Sequence, residues 1–170
     1  MKALRFYDVQ DLRYEDAPDP VIEKPDDVIV KVKAVGICGS DIARYRNLGP
    51  YVPGNVWGHE FCGEVVEVGE GVKNLKPGDR VVGCPNMVCH ECEYCKSGHP
   101  SRCENLNTIG AYVPGAYAEY IKLPEINFVK MADSMSYEQG ALVEPATVAI
   151  HGLYQTSIKT VSYTHLTLPT

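Results

Sequence analysis

Nowhere does this sequence carry an apolar run long enough to cross a bilayer. Its first residues, Met1-Lys2-Ala3-Leu4-Arg5-Phe6, lack the apolar core and small-residue cleavage site of a secretory leader. The compartment expected on those grounds is the cytoplasm. Positive charge is scarce as well: 16 Lys and Arg stand against 22 Asp and Glu, for a formal net charge of −6 and a pI near 5.3. A nucleic-acid backbone or an anionic membrane surface would need clustered cations, so neither is expected as a partner. Internal repeats, low-complexity tracts and a linker that would split the chain are all missing. The 170 residues therefore read as one domain followed by the beginning of something else. A Gly-rich turn of the G-x-G-x-x-G type, which seats a dinucleotide pyrophosphate between a strand and a helix, is absent too.

Cysteine, by contrast, is abundant. There are seven, an odd number that weakens any disulfide framework, and a reducing compartment would weaken it further. Four of them, Cys89, Cys92, Cys95 and Cys103, lie in one short stretch. Two-residue gaps let neighbouring thiolates turn onto one ion, and the longer return to Cys103 closes a tetrahedron. Zinc held by four thiolates has no open position, so this pattern predicts a structural site that orders a loop with no core of its own. His90 and His99 lie close enough to substitute for a cysteine. Cys62 and Cys84 are expected to be buried, without chemistry.

Glycine and proline are scattered in the way of a β-rich domain with many turns. Period-two alternation predicts strands over 28–34, 63–68, 80–83, 116–123 and 127–131, with a turn at Pro77-Gly78-Asp79. A short helix is predicted over Asp41–Arg46. Another is expected from Ser136, where Gln139 stands at capping-box spacing, with a kink or restart at Glu144-Pro145.

The remaining chemistry is dispersed. Cys38 lies in Gly36-Ile37-Cys38-Gly39-Ser40-Asp41, His59 and Glu60 follow Gly58, and Glu144 stands before Pro145. One thiolate, one imidazole and one or two carboxylates suit a catalytic zinc with a position left open. Each also has a plainer reading: a cysteine after a strand is often a small buried hydrophobe, and a His-Glu pair is often a surface or capping feature.

Taken together, the segments Gly58-His59-Glu60-Phe61-Cys62-Gly63, Lys76-Pro77-Gly78-Asp79-Arg80-Val81 and Gly36-Ile37-Cys38-Gly39-Ser40-Asp41, with the four-cysteine stretch, resemble the zinc-dependent medium-chain alcohol and polyol dehydrogenases. The resemblance runs over about 1–159. It implies a mainly β fold with short helices: a GroES-like, partly open β-barrel with a structural zinc lobe over 84–104. It implies two zinc ions, one structural and one catalytic, the latter held by Cys38, His59 and Glu144. Glu60 is then an alternative ligand or a supporting carboxylate, Asp41 a partner of the His59 ring, and Ser40 the group that passes the substrate's hydroxyl proton towards solvent. Zinc would act as a Lewis acid on a secondary hydroxyl while NAD(P) accepts the hydride. The substrate class implied is a polyol or polyol phosphate, and the full-length form is expected to be a homo-oligomer. Within the polyol branch the chain is most similar to the galactitol-1-phosphate 5-dehydrogenases, on the compact N-terminus and the run Gly115-Ala116-Tyr117-Ala118-Glu119-Tyr120. Arg44, Arg46 and Lys122 are candidates for a phosphate, or are solvated surface charges. Tyr45, Tyr51 and Trp57 are candidates for the pocket wall, or are core.

The same resemblance implies an α/β Rossmann cofactor domain beyond the helix that contains Pro145, and that domain is absent here. Residues 160–170 read unlike the family and resemble translated adapter read-through, so a truncated chain with a non-native tail is expected. Such a fragment would be inactive by itself. A competing reading is a non-catalytic zinc-binding module that uses only the four-cysteine lobe. It leaves Cys38, His59 and Glu144 unexplained. A zinc-free reductase relative would lack both cysteine sets.

Overall fold

The computed structural model describes residues 1–156; the suspected tail over 160–170 lies outside the described residues. The chain opens with a hairpin, β1 (Lys2–Asp8) and β2 (Asp11–Asp16). Then follow β3 (Asp27–Val35), α1 (Gly39–Ala43), β4 (Asn55–Val56), β5 (Phe61–Val68), β6 (Arg80–Gly83) and β7 (Asn86–Met87). After these come α2 (Glu93–Lys96), β8 (Asn107–Thr108), β9 (Tyr120–Pro124), β10 (Phe128–Lys130), α3 (Tyr137–Ala141) and α4 (Val143–Tyr154).

A five-stranded sheet in the order β10-β6-β5-β3-β9 is antiparallel at every pairing. A smaller sheet runs β2-β1-β4, and β7 pairs with β8. Two register shifts in the β3–β5 ladder bend the large sheet, as extra residues in one strand do. One face holds the main core, built around Val28, Val30, Phe61, Val65, Val81 and Phe128. The other face of β5 presents Cys62, which packs with Val82, Met131 and Ala141 under α3. Gly140 permits that closeness, since a Cβ there would stand 2.9 Å from Cys62 Sγ.

Local signals account for the joints. Lys76–Asp79 is a tight turn closed by Asp79 N–H donating to Lys76 O at 3.0 Å, with Gly78 at φ +90° where glycine alone is unstrained. Ser136 Oγ accepts from Gln139 N–H at 3.2 Å, and Gln139 Oε1 accepts from Ser136 N–H at 2.9 Å, the reciprocal cap the sequence predicts. The helical restart falls at Leu142–Val143, slightly ahead of the predicted Glu144-Pro145, which leaves Pro145 in the first turn of α4 where its missing N–H is harmless. The helix predicted over 41–46 begins two residues earlier as α1 and widens over Arg44–Leu48. Cys62 is buried as expected, but Cys84 is exposed: its backbone N–H is tied to Asn127 O while its side chain faces out.

Candidate functional site

Two clusters of metal-ligating side chains form among the described residues. In the first, the sulfurs of Cys89, Cys92, Cys95 and Cys103 all lie within 4.8 Å of one another. Cys89 and Cys103 Sγ are 3.5 Å apart, close to the edge of about 3.8 Å that 2.3 Å zinc–sulfur bonds impose on a tetrahedron. Backbone N–H groups point at the sulfurs: Cys89 N–H donates to Cys103 Sγ at 3.3 Å, and Cys92 N–H to Cys89 Sγ at 3.4 Å. Amide donors from Glu91 and Cys92 hold the Cys89 thiol down to about 6. Burial and the neighbouring sulfurs of Cys92 and Cys103 push Cys95 up to about 12. Four thiolates side by side repel one another, and a divalent cation at their centre removes that conflict. The donor set therefore fits zinc. Neither His90 nor His99 joins the cluster; the His99 ring instead lies 3.3 Å from Ser97 Oγ.

The second cluster is assembled by the β3–β5 ladder. Val35 pairs with Phe61, and Gly36 N–H donates to Glu60 O at 2.7 Å, so the chain leaving β3 runs beside the chain entering β5. Cys38 lies just beyond β3, at the start of α1, and His59 and Glu60 lie just before β5. Their ligand atoms lie within 4.8 Å of one another. One thiol, one imidazole and one carboxylate fit a tetrahedral metal with one position open. Glu60 is buried, at 8% exposure, with its carboxylate against Gly36, where a Cβ would meet Oε2 at 2.3 Å.

Glu144 is not part of this 4.8 Å set. It stands half-buried in the first turn of α4. Burial raises its pKa, with His59 lowering it and Glu60 raising it, so its charge is felt at the cluster. Asp41 is buried and holds two groups. Its Oδ2 accepts from Cys38 N–H at 3.1 Å, and its Oδ1 lies 3.8 Å from His59 Nδ1. Ser40 lines a cavity of about 180 Å³ together with Asp41, His59 and Trp57. Of the aromatic candidates, Tyr51 and Trp57 line this cavity, whereas Tyr45 packs towards Phe6 at 6.3 Å. A larger, shallower groove of about 550 Å³ along Leu75, Glu125 and Val129 contains none of the clustered ligands.

Tyr117 was not singled out by the sequence as a site residue. Its hydroxyl donates to Asp41 Oδ2 at 2.7 Å and lies 3.1 Å from Gly36 O. Burial, then the Asp41 carboxylate, push its pKa up. Tyr117 N–H donates to Trp57 O and Ala116 N–H to Gly58 O, which straps this segment beneath His59. Gly58, at φ +96°, would drive a Cβ to 2.6 Å from the Tyr117 ring. The signal available in the sequence was only that Tyr117 lies in a run next to a strand; its partner is set by tertiary pairing.

Residues 24–133 match the alcohol dehydrogenase GroES-like domain. The chain belongs to that family. It is a mostly β, GroES-like domain with a curled sheet and few short helices. Sorbitol dehydrogenase of Bacillus subtilis is 39% identical over 164 residues, a match that takes in 94% of this chain and 46% of the relative. The crystal structure of galactitol-1-phosphate dehydrogenase from Escherichia coli superposes with a TM-score of 0.87 at 35% identity, covering 91% of this chain and 44% of that one. An alcohol dehydrogenase from Escherichia coli CFT073, complexed with NADH, gives a TM-score of 0.80 at 34% identity over 91% of this chain and 46% of that one. This member of the alcohol dehydrogenase GroES-like family thus spans about half the length of the relatives it matches. Among its described residues no helix is long and apolar enough to cross a membrane.

Proposed function

We propose that this chain is the zinc-binding catalytic half of an NAD(P)-dependent dehydrogenase that oxidises a secondary hydroxyl of a polyol or polyol phosphate. The observation that carries the proposal is the convergence of Cys38, His59 and Glu60 on one point beside a cavity, in a family whose relatives include a sorbitol and a galactitol-1-phosphate dehydrogenase. The narrower reading, a galactitol-1-phosphate dehydrogenase, draws support from the second of these. The cofactor half would lie in sequence beyond this chain.

Cys38 and His59 are the ligands common to every version of the site we propose. Glu60, whose carboxylate lies within 4.8 Å of the Cys38 and His59 ligand atoms, is the third ligand this reading favours, and Glu144 is the alternative. Zinc bound there would polarise a hydroxyl and lower its pKa. The protein's own residues do the rest. Asp41, 3.8 Å from His59 Nδ1, would orient the ring, and Tyr117 donates a hydrogen bond that holds Asp41 in place. Ser40 stands at the cavity to take the hydroxyl proton towards solvent. A carboxylate in place of a second thiolate makes a harder and more polar site, suited to a substrate rich in hydroxyls. The four-cysteine lobe would hold a second zinc with no open position.

Metal content tests this reading. The purified chain is expected to hold two zinc ions, and Cys38→Ser is expected to reduce the count to one while the lobe keeps its ion. One zinc per wild-type chain, unchanged by Cys38→Ser, would favour a non-catalytic zinc module instead.

A further inference from the structure

Three basic residues, Arg44, Arg46 and Lys122, are candidate anion ligands in the sequence, and the structure separates them sharply. Lys122 is consumed on β9: its Nζ donates to Val21 O at 2.9 Å and pairs with Glu23 and Asp27. Arg46 is exposed and does not line the cavity beside the second cluster. Arg44 does line it, together with Ser40 and His59. Ser40 and Arg44 are four residues apart along one helical stretch and so share a face.

Arg44 is also held rigidly. Its guanidinium carbon lies 3.3 Å from the centroid of the Tyr51 ring, and the Tyr51 and Tyr112 rings stand 5.0 Å apart on the same wall. Its Nη1 donates to Gly49 O at 3.0 Å. Among the described residues no carboxylate lies within salt-bridge distance of it, although the chain as a whole is acidic. A guanidinium carries five donors in a planar fork, and only one is taken here. An unpaired, half-buried, stacked arginine is a prepared receptor for a planar-forked contact with an oxyanion.

We infer that Arg44 is the specificity residue of the cavity and that it binds the phosphate of a polyol monophosphate whose hydroxyl end reaches Ser40 and His59. The inference rests on the dehydrogenase reading of the neighbouring cluster and narrows its substrate class. A phosphate offers several oxygens to the free donors of Arg44. Tyr51 and Tyr112 flank it, and the carbon chain spans the interval back to Ser40. An uncharged polyol would leave the guanidinium without a counter-charge and gain nothing from it.

The test uses Trp57, the single tryptophan of the chain, which lines the cavity and reports its occupancy. Tryptophan emission and calorimetry on the zinc-loaded chain would compare four ligands: a six-carbon polyol monophosphate, the same polyol unphosphorylated, the corresponding sugar acid and inorganic phosphate. The polyol monophosphate is expected to bind about 10- to 100-fold tighter than the polyol, the range of one charge-assisted contact. Arg44→Gln is expected to abolish that preference, and Arg44→Lys, which keeps the charge but loses the stacked fork, to restore part of it. Equal binding of polyol and polyol phosphate overturns the inference, as does a phosphate preference that survives Arg44→Gln. Inorganic phosphate binding as tightly as the ester, or the sugar acid matching it, overturns it too. The wild-type ligand series decides the matter even if Arg44→Gln fails to fold. Zinc stoichiometry, measured on the same samples, reports separately on the dehydrogenase reading.

Discussion

Tyr117 and Asp41 are joined by a 2.7 Å hydrogen bond in which the phenol donates to the buried carboxylate. Asp41 in turn stands 3.8 Å from the His59 ring and accepts from the Cys38 backbone N–H. One phenol thus braces a carboxylate that touches both of the ligand-bearing segments. This is the arrangement by which residues outside a metal's ligand set control ring orientation and ligand basicity.

Tyr117→Phe removes the donor and leaves the ring. The expected cost is about 1.5–3 kcal/mol of folding stability, the worth of a hydrogen bond to a charged partner. Zinc affinity at the Cys38–His59 cluster is expected to fall about 10- to 100-fold, as for other supporting groups. Urea unfolding and competitive chelator titration measure the two quantities. A variant with unchanged zinc affinity would mean that Asp41 is held by its backbone contacts alone.

The lobe is a separate matter. Cys103→Ser should remove one zinc per chain and spare the Cys38 cluster, because the two clusters share no residue. Without its ion, the stretch over 84–104 loses its organising contacts, since only Cys103 of its five cysteines is buried. Limited proteolysis should then cut within this stretch faster in the variant, while metal analysis reads one zinc. Loss of both ions would show that the lobe supports the rest of the fold more than its position suggests.

Much of this architecture is written in local pattern. β3, β5 and β6 follow from alternating apolar residues, the turn between β5 and β6 from Pro77-Gly78, and the lobe from cysteine spacing. The β1–β2 hairpin escapes the same reading because Arg5, Asp8, Asp11 and Arg13 interrupt its alternation; its fully buried residues on β1, Ala3 and Phe6, lie on opposite faces of the strand. The strand predicted from Ala116 starts only at Tyr120, because residues 116 and 117 spend their N–H groups on Gly58 and Trp57 instead. Which carboxylate joins Cys38 and His59 is not encoded locally at all. The β3–β5 register places Glu60 there, while Glu144 arrives on a helix whose position depends on packing. Tyr117 owes its place to the long-range hydrogen bonds of its segment with Trp57 and Gly58, whereas Arg44 is held by the nearby Gly49 and Tyr51.

Glu60 and Glu144 can be told apart experimentally. Glu60→Gln should weaken zinc at the Cys38 cluster about 10- to 100-fold, and Glu144→Gln should weaken it less. Gly36→Ala supplies an independent probe, because its Cβ would stand 2.3 Å from Glu60 Oε2 and so push the carboxylate aside. The displaced atom is the end of a flexible side chain, so the stability cost should stay at about 1 kcal/mol while metal affinity falls. Stronger zinc loss in Glu144→Gln than in Glu60→Gln would place Glu144 as the third ligand and Glu60 as its support.

The turn that launches β6 carries a pH dependence of its own. Asp79 pairs with Lys130 at 2.9 Å and also accepts from Lys76 N–H at 3.0 Å, linking the turn to β10. The Lys130 contact holds the Asp79 carboxyl below its ordinary 3.8. A carboxylate with a lowered folded pKa contributes stability in full above the unfolded value, and that contribution is lost as pH falls through the folded one. Asp79→Asn keeps the oxygen that accepts from Lys76 and removes the charge. At pH 7 it should cost about 0.5–1 kcal/mol, the range of a partly exposed ion pair. Below pH 3.8 the gap between wild type and variant should shrink towards zero, and urea unfolding across that window reads it directly. Thiolate protonation and metal release also occur in acid, but they act on both proteins and cancel in the difference. A gap that stays constant from pH 7 to pH 3 would assign the contribution of Asp79 to its turn hydrogen bond and none of it to Lys130.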